Sequence, residues 1–330
     1  MTQLGTPALS AIVITLGGFD VIRRTVRHLR DQTAREQIEL LIVTPSSNGL
    51  EYDPEQVAGF HSVRVIETGS INYTGEAHAA GVRAASAPAV VYVEEHSYPE
   101  PGWAEALIKA HDGPWDAVGG AILNANPGSM VSWASMLTDF GPWVAPVSGG
   151  EVDRLPPHHT SYKKLVLEEY GSRLAPLLEA ETILIANLNK EGSGLYLEPG
   201  AVSGHVNVST IRSYVKGEFL GGRLFGSGRA RSHGWHLRRA VYTLAAPAIL
   251  LVRFQRVVGQ IRRCGRQREL IPKVVPPLLL GLVSHTVGEV AGYLLGEGRA
   301  AEHRRSIELN RFQHVAERDR PAAGSLGSDA

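Results

Sequence analysis

The chain has one cysteine, Cys264, among 330 residues. An intrachain disulfide and every multi-cysteine zinc or iron–sulfur site are therefore excluded, and a reducing compartment is expected. Aromatic residues are sparse at 7%, and the arginines alternate with aliphatic runs in place of the stacking aromatics that single-stranded nucleic acid needs. Nucleic acid is therefore not an expected partner. Net charge is absent too, with 33 Lys and Arg against 33 Asp and Glu. The balance hides an asymmetry: residues 223–273 hold twelve Lys/Arg and one acid, Glu269, which leaves 21 basic and 32 acidic residues elsewhere. Residues 1–5 carry no basic segment and the apolar run Ala11–Leu16 is too short for a secretory core, so a cytosolic start is expected. No internal repeat is visible. At 43% hydrophobic and 20% charged, the composition excludes collagen, coiled coil and disorder and allows a full core.

What is present in the first third is an α/β rhythm. Ala11–Thr15, Glu39–Thr44, Val63–Glu67 and Ala89–Glu94 read as strands, and Phe19, Ile22, Val26 and Leu29 form one apolar helical stripe. A mostly parallel sheet flanked by helices is expected, with ligand chemistry at the carboxyl ends of its strands. The second third is rich in loops around 124–128 and 142–157, with helices expected at 165–170 and 175–191. Lys216 to Arg231 contains five glycines among Lys216, Arg223, Arg229 and Arg231, which reads as a mobile basic loop able to close on a diphosphate, or as a flexible linker. Two apolar runs follow, Val241–Val252 and Val274–Gly296, with arginines around them. The first is too short to cross a bilayer. The second carries Pro276, Pro277, His285 and Glu289, so a simple span is not expected, and the first, with arginines around it, is expected to form an interfacial or re-entrant element on an anionic membrane surface. A hairpin packed on the body or buried in a homodimer is the alternative. Cys264 has no visible partner base.

The fourth strand runs into Glu94-Glu95-His96 and then Pro99, Pro101 and Trp103. Carboxylates at a strand end beside an imidazole can hold a divalent cation that neutralises a diphosphate. This acidic turn with its proline and tryptophan resembles the corresponding element of family 2 glycosyltransferases of the GT-A fold. Three further stretches look like the same family in order: Thr15 to Thr33, Thr74 to Ala87, and Glu181 through Gly192, Leu195–Pro199 and His205. The stretches Asn126-Pro127 with Ser132-Trp133, and His158 to Lys163, look like one bacterial, membrane-associated subgroup.

The resemblance implies a single-sugar, inverting transfer from a nucleotide-sugar donor to a glycan or lipid-linked acceptor hydroxyl. It implies Mn2+ or Mg2+ held by Glu94, Glu95, His96 and His205, with donor contacts at Thr15, Thr44, Glu94, Arg223 and Arg229. A mixed carboxylate and imidazole set suits manganese better than magnesium. Glu181 and Glu179 compete for the role of general base, Glu181 preferred. Two departures are plain. Thr44-Pro45-Ser46-Ser47-Asn48 stands where many relatives carry aspartates, and Glu181-Thr182 replaces the usual acidic pair. They motivate the rival reading of a non-catalytic nucleotide-sugar-binding module. The Gln-x-x-Arg-Trp signature of processive synthases is absent. The expected layout is a transferase domain over 1–235, a basic and apolar helical membrane-associated segment over 236–310 and a disordered tail over 311–330, at the cytoplasmic face of the inner membrane.

Overall fold

The computed structural model describes residues 5–71, 73–232 and 241–320. They divide into two compact units, one of residues 1–123 with 145–205 and one of residues 124–144 with 206–330. The expected boundary at 235 lies outside the described residues.

The first unit is built on a mixed sheet flanked by helices. Its strands are β1 (Leu9–Ile14), β2 (Ile38–Thr44), β3 (Ser62–Glu67), β4 (Ala89–Tyr92), β5 (Ser97–Pro99), β6 (Ala117–Asn124), β7 (Gly150–Glu151), β8 (Thr160–Lys163) and β9 (Leu195–His205). Their order is β3-β2-β1-β4-β8-β6-β9-β5, with β7 on β9. The first four strands pair in parallel, as the alternation of strand and helix signals requires. From β4 to β8 onward the recorded pairings are antiparallel. β1 and β2 are buried along nearly their whole length, so they read as unbroken apolar runs. The helix Phe19–Arg30 lays its predicted stripe, Phe19, Ile22, Val26 and Leu29, into the core. A single helix was expected over 175–191; the chain instead makes Leu174–Glu179 and Glu181–Lys190, broken at Ala180 with φ −122° and ψ 58°.

Antiparallel pairing places the site. β8 runs against β4 with Ala89 beside Lys163 and Val91 beside Ser161, so the start of β8 lies at the carboxyl end of β4. β5 follows that end directly, and its Ser97 pairs with His205 at the end of β9. Three segments remote in sequence therefore meet where β4 stops.

The second unit is helical, and it corrects two expectations. Residues 216–231 are not a mobile loop: they lie within the helix Ile211–Ser232. Glycine weakens an isolated helix, but here tertiary packing requires it. A Cβ on Gly222 would run into the His285 carbonyl, and one on Gly226 into the Glu289 carbonyl. One on Gly292 would strike the Arg223 carbonyl in return. The two backbones touch along Gly-x-x-x-Gly faces, Gly222 and Gly226 on one helix, Gly288 and Gly292 on the other. That other helix is Val275–Leu295, and Pro276 and Pro277 do not break it; they occupy its first turn, where a missing N–H costs nothing. The expected tail is ordered through residue 320, with turns Arg311–His314 and Glu317–Asp319 and buried Arg311, Val315 and Asp319. Its remainder, 321–330, lies outside the described residues.

Candidate active site

At the end of β4, a Glu94 carboxylate oxygen and one ring nitrogen each of His159 and His205 lie within 4.8 Å of one another. His96 belongs to the same knot: its Nε2 is 3.2 Å from His205 Nε2 and 3.4 Å from Glu94 Oε2. Glu95 turns aside, with Oε1 3.2 Å from His96 Nδ1. Of the four residues expected to hold a metal, the structure thus brings Glu94, His96 and His205 together, places Glu95 behind His96, and adds His159. His159 Nδ1 is 2.8 Å from Ser203 Oγ, a contact that orients the ring. One carboxylate and two imidazoles form a mixed oxygen and nitrogen donor set able to hold a first-row divalent ion, manganese among them.

Glu181 opens the helix Glu181–Lys190 beside this cluster and is buried. Its Oε1 accepts from Tyr162 Oη at 2.5 Å and its Oε2 from the His158 backbone N–H at 2.5 Å. His158 has φ 62°, the one left-handed non-glycine backbone among the described residues. That conformation aims its N–H at Glu181, while its Nδ1 stands 3.5 Å from Glu181 Oε2 and 4.0 Å from Glu94 Oε1. The two carboxylates are pushed apart in acidity. Burial raises the Glu181 pKa, against the opposing pull of His158 and the Tyr162 hydroxyl. Burial acts the same way on Glu94, but His96, His158 and His205 overcome it and hold that carboxyl well below the usual range.

The other expected residues make contacts of their own. Glu179 caps the helix Thr74–Ala84, accepting from Thr74 Oγ1 at 2.7 Å and from the Gly75 N–H at 2.9 Å. Thr15 and Thr44 sit side by side at the ends of β1 and β2, where the Thr15 N–H donates to the Val43 carbonyl. Their hydroxyls close turns on the Gly18 and Ser46 carbonyls. Arg223 and Arg229 lie in the second unit's helix Ile211–Ser232 and not on a loop: Arg223 donates to the Gly296 carbonyl, and Arg229 lies 3.5 Å from Glu289 and over the Phe225 and Tyr242 rings. Two further residues at the site escaped sequence reasoning. His78 is buried and packs its ring 4.3 Å from that of Tyr92, and Tyr92 is buried two residues before Glu94. The sequence signal for His159 is the stretch His158 to Lys163, which resembles a subgroup of the family but assigns no metal ligand.

The first unit is thus an α/β domain with an acidic and imidazole cluster at the end of its fourth strand and a separate buried carboxylate. Residues 10–167 match the family model described as Glycosyl transferase family 2. That stretch, just under half of the chain, is similar to the domain of that family. No curated protein is a significant match to the sequence. Among solved structures, the chain is similar to GalNAc-T7 with UDP, GalNAc and Mn2+, at 13% identity over 64% of this chain and 47% of that one, TM-score 0.47. It is similar to the mannosyltransferase PcManGT from Pyrobaculum calidifontis in complex with GDP-Man and Mn2+, at 13% identity over 94% and 83% of the two chains, TM-score 0.44. It is similar to TarS of S. aureus at 15% identity over 88% and 55%, TM-score 0.47. The chain spans about half the length of GalNAc-T7 and of TarS. At these values none of the three transfers a substrate or a residue role to this chain.

Proposed function

We propose that the protein moves one sugar from a nucleotide-sugar donor to an acceptor hydroxyl with inversion, in a reaction that depends on a divalent cation. The observation that carries this reading is the pair of carboxylates with opposite environments: Glu94, held ionised among imidazoles, and Glu181, buried with a raised pKa. Groups whose surroundings drive their acidities apart divide the roles of charge holder and proton acceptor. Glu94, His159 and His205 would hold the cation, and His96 would orient Glu94 and His205. A cation there would neutralise charge on the departing diphosphate.

Glu181 is the general base of this reading. Inverting transfer to a hydroxyl needs a carboxylate that takes the acceptor proton, and a raised pKa brings it nearer the working pH. Tyr162 and the His158 N–H fix the direction of that carboxylate. Transfer of a single sugar is favoured by the lack of a processive signature, and a glycan or lipid-linked alcohol is the acceptor class.

The test is a thermal-shift screen of the full chain against UDP- and GDP-sugars, with and without Mn2+, followed by a transfer and donor-hydrolysis assay on any hit. A donor that raises the melting temperature only with metal, and is then consumed, supports the reading. Metal-dependent binding with no turnover by wild type would leave a binding module in its place.

A further inference from the structure

The helix Val275–Leu295 has two unlike sides, and each side is accounted for differently. One is sealed against the rest of the second unit. Gly281, Gly288 and Gly292 sit against Tyr214, Phe219 and Arg223, Ser284 Oγ donates to the Val215 carbonyl, and His285 Nδ1 is 3.1 Å from Glu218. Glu289, the helix's one carboxylate, is buried 2.7 Å from Arg253 and accepts from Tyr293 Oη at 2.6 Å. The opposite side presents Leu279, Leu280, Val283, Val287, Leu294 and Leu295, which are 37 to 75% exposed. Positions 279, 283 and 287 recur at one turn of helix. Not one side chain on that exposed face is charged.

The helix Ala246–Arg263 continues the pattern. Arg253 meets Glu289 and Tyr242 meets Tyr293, so the two helices run in opposite senses where they touch. Leu244, Leu251 and Val252 are more than half exposed at its start. Arg256 and Arg262 are exposed towards its end, and Arg268 and Lys273 on the connection to the next helix. An apolar face about 24 Å long thus stands beside a basic end.

We propose that this face docks the second unit on an anionic lipid bilayer as a monotopic element: the exposed apolar side enters the interfacial layer, the basic end meets lipid phosphates, and the helix does not span. Charge favours lipid, because anionic headgroups neutralise the exposed Arg256, Arg262, Arg268 and Lys273 at the basic end. A span would demand that the glycine-packed side leave its partner helix and carry Glu289 into hydrocarbon.

Flotation of the full chain with vesicles uses no donor, acceptor or metal, so its outcome is independent of the transfer reaction. The protein should float with phosphatidylcholine–phosphatidylglycerol vesicles, far less with phosphatidylcholine alone, and should be released by alkaline carbonate. V283D/V287D should weaken flotation by roughly tenfold or more, and R262Q/R268Q/K273Q should erase the preference for anionic lipid. Should V283D/V287D fail to fold, Val287→Cys bearing a polarity-sensitive fluorophore should shift to the blue on the same vesicles. The proposal is overturned by no flotation on either vesicle, by equal binding of wild type and V283D/V287D, by resistance to carbonate, or by a soluble dimer that V283D/V287D dissociates.

Discussion

The Tyr162 hydroxyl donates to Glu181 Oε1 across 2.5 Å, both side chains being buried. A donor to a carboxylate favours its charged form, so this bond offsets part of the upward push of burial on Glu181. Tyr162→Phe should therefore raise the Glu181 pKa further. If Glu181 is the base, the acidic limb of the kcat profile moves to higher pH and activity recovers at alkaline pH. An unmoved limb with a uniformly lower kcat would leave Tyr162 a packing role.

The carboxylates at 179 and 181 are two residues apart but do different work. Glu181→Gln keeps the shape and removes the proton acceptor, and should lower turnover by about 100-fold to 10,000-fold with donor affinity nearly unchanged. Glu179→Gln removes a charged cap from the helix Thr74–Ala84. Its effect should appear in the melting temperature, as a loss of about 1 kcal/mol, with turnover largely kept. The reverse pattern in a side-by-side assay would make Glu179 the base.

His159 gives the metal reading its sharpest test, because it was not among the residues expected to hold the metal. His159→Ala and His205→Ala should each weaken Mn2+ binding by about 10-fold to 100-fold, measured as loss of the free-ion electron paramagnetic resonance signal on titration. Glu95→Gln should bind Mn2+ almost as wild type does, since Glu95 is turned toward the far ring nitrogen of His96. Equal affinity of His159→Ala and wild type would remove His159 from the site.

The core and the acidic turn were legible because their signals are local. Phe19, Ile22, Val26 and Leu29 repeat with the period of a helix, and Glu94 ends an apolar run. His159 and His78 were not, since one lies before an antiparallel strand whose pairing with β4 no local pattern encodes, and the other on a helix of small residues. The helix Ile211–Ser232 was read as a loop because its glycines argue against helix one residue at a time. Their spacing of four makes sense only against the glycines of Val275–Leu295, more than sixty residues on. The break at Ala180 had no signal at all, alanine being the strongest helix former.

His78 makes stability depend on pH in a way that can be isolated. Burial, reinforced by His158, lowers its pKa from the ordinary 6.5 to about 3, against the weaker opposing pull of Glu94 and Glu179. The folded protein therefore keeps the ring neutral while the unfolded chain protonates it, and between those two values the unfolded state binds the extra proton. Stability is fully retained above about pH 6.5, falls as the pH drops, and stops falling from this source below about pH 3. The total is on the order of 5 kcal/mol. His111, lowered by burial to about 4, contributes in the same direction, so the wild-type slope holds more than one proton. His78→Gln removes the titrating group and keeps a neutral polar side chain. Denaturant unfolding from pH 7 to 4 should then show a slope smaller by up to one proton, about 1.4 kcal/mol per pH unit, and a lower acid-unfolding midpoint. An identical slope in the variant would mean that the folded protein already carries His78 protonated.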